Sequence, residues 1–341
     1  MLGLQTSDTE TGHLFIQPDY TLPAKDLYRK VARQILLRSG SLEILSSVQH
    51  STTSLLWKNP QLPSWVPNWN TASVHTLSPS APDRHSAAGA RSSTRIDFDG
   101  SDILLVKGIE VDIISEVLPL MSGKDLLPVS LRNNGPLRRY FETEAGIRLL
   151  SRTMTAGKDW YGALITDSDS HVADFAAYLL QPVDPEKEFF ISPIVSLYRQ
   201  ILWAHKWQAR QYLIPMLLRH SPTILSEWFQ RLWYGKPTRT YDLETLGQQG
   251  DVDRFLQAAS TTCTGRRLFV TTGGYLGLGP EAMTEGDGVC ILFGGSVPFV
   301  LRLEDKRGKL VGECYVDKLM SGEAVDKGSL GKIEERLFKL H

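Results

Sequence analysis

Residues 23–39 (PAKDLYRKVARQILLRS) place Leu27, Val31 and Ile35 at four-residue steps, with Tyr28, Ala32 and Leu36 beside them and Arg29, Lys30, Arg33 and Arg38 elsewhere. That spacing predicts an amphipathic helix, opened by Thr21 or Pro23 and closed by Gly40 in a left-handed position. In residues 62–70 (LPSWVPNWN) two prolines fix φ, and Trp65 and Trp69 offer large apolar faces, so an extended segment pinned by its aromatics is expected. Residues 71–94 then turn to Ser, Ala, Pro, Thr and Gly. Few large apolar side chains remain there to offset the entropy of ordering, and the stretch reads as a flexible linker.

Over residues 95–118, Ile96 and Phe98 alternate, Asp99-Gly100 is a turn signal, and 103–114 is rich in β-formers. Two antiparallel strands follow. Residues 137–150 and 171–180 carry helical spacing, and 191–234 holds two or three further helices interrupted at Pro215 and Pro222. After Thr264 the period changes: short β-branched and aromatic runs are divided by Gly-Gly, Gly-Asp-Gly and Lys-Arg-Gly, the pattern of a compact antiparallel sheet or small barrel. A lone hairpin is marginal and leaves unpaired edges, so the early strands are expected to join the late ones. The fold class is therefore α+β, with a mostly helical middle inserted between strands of a small antiparallel β sheet or barrel. Its expected parts are residues 1–70, the linker 71–94, the hairpin 95–118, the helical region 119–264 and the β unit 265–341.

Thirty-seven Lys and Arg against 38 Asp and Glu leave a net charge of −1, without the basic excess of a nucleic-acid binder. Cys263, Cys290 and Cys314 are odd in number, widely spaced and form no CxxC pair, which fits a reducing compartment and builds no zinc knuckle. The first residues lack a basic region followed by an apolar run, so a cytoplasmic protein is expected. The apolar stretch 189–233 is broken by charges and prolines and is not expected to span a membrane.

Candidate chemistry is sparse. Residues 273–280 (GGYLGLGP) suggest a phosphate loop, but no helix start and no Lys-Ser/Thr follows, so tight turns are the simpler reading. The eight histidines show no metal-ligand spacing, no GxSxG occurs, and no catalytic residue, metal or cofactor is assigned. Cys290 and Cys314 fall on expected strands, where free cysteine usually acts as an apolar filler. Trp203 and Trp207 are spaced i, i+4 with His205 between them, a spacing that most often serves packing. Trp65, Trp69, Trp203, His205, Trp207, Trp228 and Tyr275 are the candidate pocket or interaction residues.

Several segments, in this order, carry a resemblance: PDY at 18–20, GSLEILSSVQH at 40–50, LPSWVPNWN at 62–70, then RRLFVTTGGYLGLGP, GDGVCILFGGSVPFVLR and LVGECYVDKLMSGEA. Together they resemble the region that follows the HET domain in fungal heterokaryon-incompatibility proteins, most weakly in the helical middle. The resemblance implies an accessory, regulatory or recognition module in nonself recognition and cell-death signalling, lacking the TIR-like HET domain itself. Its implied partner is a protein or a HET-type domain within the same protein. Two departures stand out: family members usually have Asp where Asn68 stands, and His-Gly where this chain has Asp317-Lys318. Two other readings remain, a small-molecule enzyme with an aromatic pocket on a reused scaffold and a truncated gene product.

Overall fold

The computed structural model describes residues 19–50, 62–70, 75–78, 84–91, 96–100, 102–121, 126–127, 136–181, 242–304, 307–329 and 334–341. The first helix, α1 (Ala24–Ser39), follows Pro23 and buries Ala32 and Leu36. Gly40 ends it at φ 61, its N–H bonding Leu36 O, a backbone conformation that costs glycine little. The tryptophan segment, expected to be extended, folds into a turn over Pro63 to Val66, with Val66 N–H on Pro63 O; Ser64 and Trp65 take its two central positions, and type I turns accept most residues there.

The hairpin signal at Asp99-Gly100 joins β1 (Asp97–Asp99) to β2 (Ile103–Leu120). Among the described residues, four α-helices follow before the next strand, α2 (Glu144–Met154), α3 (Ser168–Leu180), α4 (Leu243–Gly247) and α5 (Val252–Cys263). Thr143, Asp167, Asp242 and Asp251 cap them in turn, each side chain accepting a backbone N–H of the first turn; such a cap stabilises by about 1 kcal/mol. The helices expected over 191–234 lie outside the described residues.

The remaining strands are β3 (Arg266–Thr271), β4 (Leu276–Pro280), β5 (Gly288–Leu292), β6 (Phe299–Glu304), β7 (Arg307–Glu313), β8 (Tyr315–Val316) and β9 (Glu335–Leu340), with helix α6 (Glu323–Ser329) before β9. Strand β2 pairs with β9 along one edge and β5 along the other, while β5, β6, β7 and β9 run on as neighbours. The five strands therefore close a ring. Past Ile114, β2 leaves the ring and pairs with β3, which continues to β4 and β8. The fold is α+β, with the helices between strands.

Strands in both parts are buried on both faces. Cys290 and Leu292 of β5, Phe299 and Leu301 of β6 and Leu310 of β7 enter one core, which also takes α1, Trp65, Leu77 and the inner faces of α2, α3 and α5. The alternating Val289, Ile291, Val300 and Val311 enter a second core, covered by Ala324 and Val325 of α6. Two-sided burial explains why these runs are continuously apolar where a half-exposed strand alternates. The glycines of β4 serve packing too: a Cβ on Gly277 or Gly279 would overlap the Phe269 ring or crowd Met283 Sδ.

Within 71–94, some of the described residues enter the cores while others, such as His75, Thr76 and Arg84, are exposed. Leu77, Ala87 and Ala88 are buried, and Ser86 and Ala87 donate backbone N–H groups to Met320 O and Ser296 O. Alanine and glycine gain contact here by close backbone approach; a Cβ on Gly89 would stand 3.1 Å from Gly322 Cα.

Candidate functional site

Strands β3 and β7 and the loop after α2 converge on a buried ionic cluster. Arg266 opens β3 and Glu313 closes β7, their side chains 2.9 Å apart at 2% and 1% exposure. Arg266 also donates to Thr262 O at 3.0 Å and His75 O at 2.7 Å, and Glu313 Oε1 accepts from Leu77 N at 2.7 Å. Burial pushes the Glu313 carboxyl above its ordinary range against the pull of Arg266, and burial likewise lowers Arg266. Lys158 donates to Thr76 O at 3.0 Å. Burial pushes its ammonium down to about 8, with Glu313 resisting and Arg266 assisting.

Beside this cluster, Arg152 of α2 and Tyr315 OH of β8 each donate to Asp317 Oδ1 at 3.0 Å. His85 Nε2 donates to Ala156 O at 3.0 Å, and its ring lies against Tyr315. Burial holds His85 at about 4, with Lys158 and Arg152 adding positive charge nearby, so at neutral pH the imidazole is uncharged with its proton on Nε2. Two non-glycine residues with positive φ flank this network, Ala156 at 51° and Lys318 at 60°. Strained backbone of this kind collects where surrounding structure fixes a functional arrangement.

A cleft of about 120 Å³ opens between α3, α5 and the loop before α3, lined by residues that include Asp159, Trp160, His171, Asp174, Arg254 and Phe255. Arg254 bonds Asp174 Oδ1 at 2.6 Å, and His171 Nε2 meets Thr155 Oγ1 at 3.2 Å. Burial lowers the His171 pKa. Trp160, at the rim and 38% exposed, has its ring 3.8 Å from that of the neighbouring Tyr161, tilted by 35°, with Tyr161 76% exposed. The cleft is well below the roughly 300 Å³ at which small-molecule pockets begin, and its Arg254 and Asp174 are engaged with each other.

Of the residues singled out in the sequence, Trp65 is fully buried, donates to Asp102 O at 2.9 Å and tilts against Phe98. Trp69 is 43% exposed and sets edge-on to Tyr28 of α1. Tyr275 packs on the second core, at the β3–β4 turn. The structure places the two tryptophans by α1 and Tyr275 at the opposite core; Trp203, His205, Trp207 and Trp228 lie outside the described residues. The glycine-rich turn is closed by Asp112, whose oxygens accept from Thr272 Oγ1 at 2.5 Å and Gly273 N at 2.8 Å. A carboxylate already fills that nest, which repels a phosphate. Cys290 and Cys314 enter different cores, and burial raises both thiols. Cys263 donates to Met154 O and is pushed up to about 12 by burial. None of the three is a thiolate at neutral pH. Among the described residues, no group of three or more His, Cys, Asp or Glu is placed to hold a metal ion, and no helix is long and apolar enough to cross a membrane.

Sequence reasoning passed over Arg266, Glu313, Lys158 and His85. The available signal was a charged residue closing an apolar run, as in Leu310-Val-Gly-Glu313-Cys-Tyr-Val316, where burial demands a partner.

Comparison with known proteins gives the ring its context. The Het-6 beta-barrel domain matches residues 198–332, which contain β5, β6 and β7 of the ring but neither β2 nor β9. Heterokaryon incompatibility protein 6, OR allele, of Neurospora crassa is 39% identical over 66 residues, covering 18% of this chain and 10% of that protein. The match thus spans a tenth of the relative's length. No solved structure matches. With a Het-6 beta-barrel segment and a Neurospora relative of the same kind, this chain resembles the heterokaryon-incompatibility proteins.

Proposed function

We propose that the chain acts as an accessory module of a heterokaryon-incompatibility-type protein, recognising a protein partner or a HET-type domain in fungal nonself recognition and cell-death signalling. The observation that carries this reading is the Het-6 beta-barrel match, laid over three strands of a closed ring. Two features of the surface support it. The Trp160–Tyr161 pair projects from the cleft rim, and aromatic residues of this kind are enriched at protein interfaces. Arg254 and Asp174 at the cleft are bonded to each other, His171 to Thr155, and Asp159 and Asp167 to backbone N–H groups, so these groups hold its shape.

Co-expression tests the reading. The full chain, produced with the Neurospora crassa heterokaryon incompatibility protein 6 in a filamentous fungus, is expected to co-elute with a HET-domain protein and to change the strength of the incompatibility reaction. Double substitution of Trp160 and Tyr161 by alanine is expected to weaken both effects. A chain that stays monomeric, leaves the reaction unchanged and turns over a small metabolite refutes it.

A further inference from the structure

Residues 75–78 are held in a way that separates them from the rest of the wrap around the ring. Arg266 donates to His75 O at 2.7 Å, Lys158 to Thr76 O at 3.0 Å, and Glu313 accepts from Leu77 N at 2.7 Å. The Leu77 side chain is fully buried in the first core. Two carbonyls, one amide and one apolar side chain of three consecutive residues are therefore each met by a dedicated group. That is how grooves read a peptide: main-chain bonds supply affinity and a side-chain pocket supplies specificity.

The groove is also costly as a permanent piece of structure. Burying an ion pair is often no better than filling the same space with apolar side chains. Ser46 approaches the carboxylate without completing a hydrogen bond, so Glu313 Oε2 and Ser46 Oγ are buried with no hydrogen-bond partner among the described residues. An incompletely satisfied polar network favours local opening over one fixed state.

We propose that Arg266, Glu313, Lys158 and the pocket around Leu77 form a peptide-binding groove, which the chain fills with its own residues 75–78. A partner segment with an apolar side chain at the Leu77 position displaces them. This deepens the recognition reading above by giving the partner's chemistry.

A fluorescein-labelled peptide of residues 73–80 is titrated into the unaltered full chain and into Leu77→Ser, followed by anisotropy. Apparent affinity scales with the fraction of molecules whose groove is open. Leu77→Ser is expected to bind the peptide at least tenfold more tightly than the unaltered chain, and a peptide with Asp at the leucine position is expected not to bind. No binding, or equal affinity for both proteins with Leu77→Ser folded by circular dichroism, overturns the proposal. If Leu77→Ser does not fold, hydrogen exchange on the unaltered chain decides. The Leu77 amide is then expected to exchange at least tenfold faster than that of Ile291 in β5, and equal protection of the two overturns the groove reading. Because the peptide is this chain's own, failure here leaves the HET-type partner reading standing, and failure of that reading leaves the groove intact.

Discussion

Acid should destabilise this protein through His85 well before its carboxylates are titrated out. The imidazole is buried, bonded to Ala156 O and held at about 4 against an ordinary 6.5. A base with a depressed folded pKa stays neutral in the fold and takes up a proton on unfolding. Its contribution is therefore complete above pH 6.5 and is lost as the pH falls from 6.5 through about 4. Integrated over that window, the loss is about 2 kcal/mol between roughly pH 7 and 5, and about 3 kcal/mol by roughly pH 4. His50 and His171, also lowered by burial, act in the same direction. Glu313 acts in the opposite one: its folded pKa lies above 4.5, so its share of stability fades as the pH rises through that region. His85→Gln isolates the first group, because glutamine can still donate to Ala156 O but cannot take up the proton. Urea unfolding of both proteins at a series of pH values measures the effect. The gap between them is expected to change by about 2 kcal/mol between roughly pH 7 and 5. Parallel pH profiles for the two proteins would refute the assignment of His85 as a neutral buried base.

Three further substitutions probe other parts of the structure. Lys318 holds φ 60, where a side chain costs about 1 kcal/mol relative to glycine, so Lys318→Gly is expected to raise the thermal midpoint by a few degrees in calorimetry. Arg302 bonds both oxygens of the buried Asp287, at 2.8 and 2.9 Å, and also Ala282 O and Thr284 Oγ1. Arg302→Met removes the charge partner of that carboxylate, leaving it hydrogen bonds from Thr284 N–H and hydroxyl, and should cost about 3 kcal/mol in urea unfolding; a loss below about 1 kcal/mol would contradict the buried-pair reading. Gly108 sits where β2 passes between β5 and β9, and a methyl there would overlap Ile291 O and stand 3.1 Å from both Leu292 Cα and Phe338 Cε2. Gly108→Ala should therefore cost about 2 kcal/mol or more, and a neutral effect would argue against closure of the ring at this seam.

Local signals in the sequence led to α1 and the β1–β2 hairpin, where the deciding interactions are local, but not to the turn at Pro63–Val66. The four-residue apolar steps of α1 and the glycine that ends it are complete within 17 residues, Ala24 to Gly40. The Asp99-Gly100 turn needs only its own hairpin. The apolar runs of β5 and β6 mark strands, but their unbroken hydrophobicity does not say which neighbours bury each face. The packing of residues 87–89 was not legible in composition, because Ala87, Ala88 and Gly89 pack by close backbone approach and bring little apolar area that a sequence window could register. The ionic cluster was illegible for a different reason. Arg266 and Glu313 meet across 47 positions of sequence, each at the end of an apolar run where a solvated charge is the usual expectation.

The ring sets different demands on the helical middle and on the strands at its two ends. Leu120, at the end of β2, pairs with Arg267 at the start of β3, so the chain leaves and re-enters the sheet at neighbouring positions. The helices are in effect the long loop of a β2–β3 hairpin, and the cost of closing a loop rises only logarithmically with its length. Their content is then constrained chiefly where they touch the sheet, as Leu150 and Met154 of α2 do in sharing a core with Leu276 and Leu278 of β4. Strands β2 and β9 have no such freedom. Each contributes an edge that the ring needs to close, although both lie outside residues 198–332. The matched segment is therefore a part of a larger folding unit that includes the β1–β2 hairpin and, through the shared core, α1 and Trp65. A fragment cut to the matched boundaries would lose β2 and β9, two of the ring's five strands, together with residues 75–78 that bond Arg266, Lys158 and Glu313.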